Sequence, residues 1–147
     1  MENSNYNPSP VLRIIFRSVL FFMAFYFFMM GFMLAFFPEL LTRVAGQLPG
    51  VIIGMLRGAG GSIIPYALIY IFVALKPREN RRLAYVIVLA NGLAIILDLV
   101  SVYLGEYLFV YAMIDLPFEL ASLLTIVFYY YSQNRRSVKI QISGEFS

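Results

Sequence analysis

The chain has 147 residues, 61% of them hydrophobic, 17% aromatic and only 13% charged, with a mean hydropathy of +0.81. Soluble domains carry about 25% charged residues, so this composition excludes a water-soluble globular domain and predicts an all-α polytopic membrane protein. With no cysteine and no histidine, disulfides, thiolate sites, haem ligation and the usual zinc sites are excluded, and the net charge of +3 comes without any nucleic-acid recognition module; no cofactor, metal or nucleic acid is expected.

Residues 1–10, MENSNYNPSP, are polar and end in two prolines, which predicts a disordered lead that stops where the first helix begins. A first span covers residues 11–37. At about 1.5 Å per residue it exceeds the ~30 Å hydrocarbon core, so it must tilt or protrude. It lacks the short apolar core and small-x-small site of a cleaved signal and reads as retained. Phenylalanines and methionines surround it on all sides and it contains no acid, which predicts a lipid-facing helix.

Residues 38–57 mix proline and glycine with a few charges, which suits an interfacial segment better than a spanning one. A second span follows over residues 58–75. The charged loop KPRENRR, residues 76–82, leads to a third span over 83–104, and Gly105-Glu106-Tyr107 turns the chain into a fourth over 108–131. That span ends in Tyr129-Tyr130-Tyr131, an interfacial aromatic belt, followed by a tail over 132–147. The single domain is therefore residues 11–131, four transmembrane helices in an antiparallel bundle.

If the spans alternate, nine of the eleven bases fall on one side: Arg13, Arg17, Lys76, Arg78, Arg81, Arg82, Arg135, Arg136 and Lys139. Arg43 and Arg57 fall on the other. The positive-inside rule then places both termini in the cytoplasm.

The third span has a face of small and polar residues, Ala84, Ile87, Asn91, Ala94, Asp98, Ser101 and Gly105, recurring at spacings of three and four. Its opposite side, with Val86, Leu89, Leu93, Ile96 and Val100, is what lipid tails accept. Ala94, Ser101 and Gly105 are expected to pack closely against a neighbouring helix, as are Gly54, Gly58 and Ser62 in and before the second span, while Asn91 suits an interhelical hydrogen bond. In the fourth span Asp115, Glu119 and Ser122 share a face, and Pro117 stands between the two acids.

An acid in hydrocarbon is costly and is kept where it faces the protein interior, finds a partner or serves a function. Counting residues from the outer boundary, Asp98, Asp115 and Glu119 should lie within about two turns of one another in depth. Arg57, at the same end of the second span, is the candidate counter-charge. Three acids near one arginine leave an excess of about two negative charges if all ionise, which a low dielectric opposes. Protonation, water, or a bound cation or amine would each resolve it.

The candidate ligand-binding set is therefore Arg57, Asn91, Asp98, Asp115 and Glu119, forming an outward-facing pocket for an amphipathic small molecule, lipid or cation; a transport role would call for a homodimer. One alternative is a non-catalytic accessory subunit of a larger membrane complex. The other is an intramembrane acid-base enzyme using Asp98 with Asp115 or Glu119. No catalytic residue is assigned, since Ser62, Ser101 and Ser122 lack a histidine partner.

The four-span layout, the sequence Arg57-Gly58-x-Gly60-Gly61 at the second span and the Lys76-Pro77 loop with Arg81-Arg82 resemble small bacterial four-helix inner-membrane proteins of the DoxX-like mould. The resemblance implies an architecture and a bacterial inner membrane. It implies no activity.

Overall fold

The computed structural model describes residues 9–41, 50–105 and 109–144, and their side chains except at 41, 111 and from 134 onward. The lead over 1–8, most of the interfacial segment, Glu106 and the side chains of the tail lie outside the described residues. The protein is all-α: four helices are long and apolar enough to cross a membrane, and the chain is a multi-pass integral membrane protein. They are α1 (Pro10–Phe36), α2 (Gly50–Leu75), α3 (Arg81–Tyr103) and α4 (Phe109–Gly144).

The ends of these helices follow local chemistry. Ser9 caps α1, its hydroxyl accepting from the Leu12 amide at 3.3 Å, with Pro10 in the first helical position where its missing N–H costs nothing. Pro38 stops α1 and opens a 3₁₀ turn, Pro38–Leu41. The Asn80 side chain donates to the Phe72 carbonyl at 2.8 Å and so closes the end of α2. Gly105 ends α3 with φ at +72°, in the left-handed region where a side chain would be strained.

Two boundaries differ from the sequence expectation. Helix α2 begins at Gly50, eight residues before the expected start of the span, so 50–57 is helical although it is rich in glycine. Helix α4 runs on past Tyr131 to Gly144, through the stretch expected to be a tail.

The chain packs as two compact units: Leu20–Leu83, and the residues through Val19 with those from Ala84 onward. In the Leu20–Leu83 unit, α1 and α2 are antiparallel. Phe27 stacks on Tyr70 and meets Tyr66 edge-on, and one turn further along α1, Gly31 faces Gly60. A Cβ on Gly60 would lie 2.4 Å from the Ala35 nitrogen and 2.6 Å from the Gly31 oxygen, so the two backbones touch. In lipid, helix association rests on such packing rather than on hydrophobic burial.

In the other unit, α3 and α4 are also antiparallel, and Phe16 of α1 packs with them. Phe16 lies flat on Tyr129 with ring centroids 3.9 Å apart and meets Tyr130 edge-on, while Tyr85 of α3 lies against Tyr130. Across α1 the buried residues Phe16, Leu20, Met23, Phe27 and Gly31 recur every three or four positions, with Ala24 buried beside Met23, and the rest of the helix is exposed or half-buried. The helix expected to face lipid all round therefore buries one stripe. Its uniform apolarity concealed it.

Candidate functional site

Helix α3 buries the face its residue spacing defines. Ala84, Ile87 and Asn91 are buried and Ala94, Asp98 and Ser101 half-buried, while Val86, Leu89, Leu93, Ile96 and Val100 are exposed. Helix α4 presents Ala112, Asp115, Glu119, Ser122, Ile126 and Tyr129, again at spacings of three and four; all are buried but Asp115, which is half-buried.

Register brings the acids together. Tyr85 meets Tyr130, and a Cβ on Gly92, seven residues further along α3, would lie 3.9 Å from Leu123, seven residues back along α4. Six more residues in the same register bring Asp98 level with Pro117, between Asp115 and Glu119. Asp98 and Asp115 are close enough for their charges to act on Glu119, beside the larger effect of its burial. All are acids.

Glu119 is the most enclosed of the three. Its side chain is only 8% exposed, and its Oε2 atom is buried with no hydrogen-bond partner among the described residues. A buried acceptor left unpaired costs about 1–3 kcal/mol, and more when charged, so it requires an explanation. Asn91 and Ser122 are the other fully buried polar residues among those described. Pro117, midway between Asp115 and Glu119, lacks the amide hydrogen that would bond the Met113 carbonyl, and so adds another acceptor on α4.

No family model, curated protein or solved structure matches the chain.

Arg57, expected as the counter-charge, forms an exposed ion pair with Glu39 on the 3₁₀ turn. The sequence reading passed over Glu39, eighteen residues away, because no local spacing links the two. Gly54 and Gly58 are exposed, and a Cβ on either would meet nothing within 4 Å among the described residues; the close helix approach is made at Gly60 instead. Ser62 bonds back to the Gly58 carbonyl of its own helix at 3.2 Å. Gly105 likewise has open space over it and terminates α3. Among the described residues no three acids converge closely enough to hold a metal ion.

The arrangement is thus polar at one end of the α3–α4 interface and aromatic at the other. Ile126, Tyr129, Tyr130 and Phe16 fill the end away from the acids.

Proposed function

We propose that the protein binds a small amphipathic molecule with a positively charged head, and that Glu119 receives that head with Asp98 and Asp115 beside it. The observation that carries this reading is the buried Glu119 Oε2, which has no hydrogen-bond partner among the described residues and lies close to two further acids. A ligand ammonium would supply the missing donor and offset the clustered negative charge, gaining most where water is excluded. Apolar surface on the ligand would lie against the membrane-spanning helices. Whether the bound molecule is then moved across the membrane is a second step, for which a dimer would give the larger frame.

The same reading includes the orientation, with both termini in the cytoplasm of a bacterial cell and the acids towards the outer face of its inner membrane. It rests on the nine bases on one side and on the likeness to the DoxX-like mould. Native mass spectrometry of the purified protein tests the binding role. Wild-type protein should carry a small molecule that Glu119→Gln and Asp98→Asn both lose; ligand-free wild type that behaves as the variants do would reject the reading.

One observation favours the accessory-subunit reading as a second choice. Gly50, Gly54, Gly58 and Gly61 form a stripe along α2 with open space over each among the described residues, which suits close approach of another helix. The chain has no cysteine, so a single Gly54→Cys substitution gives a clean test. A disulfide-linked dimer or a cross-linked partner in native membranes supports that reading, and a monomer that does not cross-link removes it.

A further inference from the structure

A second feature lies wholly within the Leu20–Leu83 unit. Phe21, Ala24, Phe25 and Phe28 of α1 and Ala67, Leu68 and Ile71 of α2 line an open apolar groove of about 250 Å³. Ala24 and Ala67 are buried and form its floor, while Phe21, Phe25, Phe28 and Leu68 stand exposed around it as walls. Both helices are membrane-spanning here, so the groove opens among acyl chains rather than water.

One end of the groove is strongly basic. Beyond Ile71 the chain passes through residues 76–82 with four bases and a single acid, Glu79, whose carboxylate is held by Lys76 at 2.9 Å. The formal net charge of this segment is +3. The Lys76 amide and the Asn80 side chain both bond the Phe72 carbonyl, which ties this loop to the turn of α2 next to Ile71. The other end of the unit differs: there Arg57 is paired with Glu39.

Arg81 and Arg82 are exposed and open helix α3, whose first turn holds no acid. Cations at a helix N-terminus oppose the helix dipole, and the dipole there favours an anion. A phosphate at this position would answer both. The arginines supply charge, and the groove, which ends at Ile71 beside the carbonyl that anchors the loop, supplies a slot for a hydrocarbon chain.

We propose that this groove and basic loop form a binding site for an anionic phospholipid, with an acyl chain between Phe21, Phe25, Phe28 and Leu68 and the phosphate at Arg81 and Arg82. A zwitterionic lipid fits the slot equally well but carries its own cation beside the phosphate and gains less from the arginines. Each base near an anionic headgroup is worth about fivefold in affinity, so removing two should weaken binding roughly 25-fold.

The test uses delipidated full-length protein titrated with phosphatidylglycerol or phosphatidylcholine and read by native mass spectrometry. Phosphatidylglycerol should be retained in preference to phosphatidylcholine, and Arg81→Gln with Arg82→Gln should abolish the preference. Because both arginines are exposed, that variant leaves the groove intact. In parallel, phosphatidylglycerol carrying a photoreactive diazirine in its acyl chain should label peptides spanning residues 21–28 and 67–71. Equal retention of the two lipids, an unchanged preference in the arginine variant, or labelling concentrated elsewhere would each overturn the proposal.

Discussion

Gly31 and Gly60 meet backbone to backbone, with a Cβ on Gly60 falling 2.6 Å from the Gly31 carbonyl oxygen. The other neighbours of that Cβ are also backbone, at Ala35 and Leu34, so no side chain can swing away to relieve a substitution. Gly60→Ala must push α1 and α2 apart, at a cost of about 1–3 kcal/mol. Gly54→Ala and Gly58→Ala, with open space over them, should be neutral or gain up to about 1 kcal/mol from better helix propensity. Thermal unfolding in detergent checks the contrast; equal effects at all three positions would contradict it.

Glu119 holds a buried oxygen with no hydrogen-bond partner among the described residues, close to two other acids. Glu119→Gln keeps the shape, removes a charge and adds an amide donor that Asp98 or Asp115 can accept. The ligand-free variant should therefore be more stable than wild type, by about 1–3 kcal/mol. A lower melting temperature would show that the carboxylate already has a stabilising partner.

Phe16 packs flat against Tyr129 and is fully buried, whereas Leu89 is 74% exposed on the far side of α3. Phe16→Ala should leave a cavity costing about 3 kcal/mol, and Leu89→Ala should change stability by less than about 0.5 kcal/mol in a detergent micelle. Comparable losses from both would mean that the aromatic cluster is not what closes this end of the interface.

Gly105 terminates α3 at φ +72°. Gly105→Ala should cost about 1 kcal/mol, and Gly105→Asn should recover much of that because asparagine tolerates the left-handed region. Circular dichroism melts of the two variants decide it, and the order reversed would argue against a local backbone cause.

The acid face of α4 and the polar face of α3 were legible in the sequence because each repeats at three and four residues against an otherwise apolar background. A short connection implies antiparallel neighbours, which is enough to bring Asp98 near Asp115 and Glu119. The α1 stripe was not legible, since Phe16 and Phe27 look no different in composition from the exposed Phe22 and Phe25. Nor was the choice of Gly60 over Gly54 and Gly58. A regular glycine spacing shows that some face is open to close approach, but which glycine meets a partner depends on the rotation of α2, which Tyr70 and Ala67 help to set by packing. Arg57 was given to the acids because they lie at the same end of their spans, while its partner Glu39 stands in a segment that reads as an irregular connection.

The charge sign at Glu119 is tested most directly by a pair of probes of one shape. Tetraphenylphosphonium and tetraphenylborate differ mainly in the sign of their charge, and calorimetric titration into detergent-purified protein compares them on equal terms. The phosphonium should bind saturably to wild type and at least tenfold more weakly to Glu119→Gln, with the borate showing no saturable binding to either. Equal affinity for the two ions, or phosphonium binding unchanged by Glu119→Gln, would contradict the account.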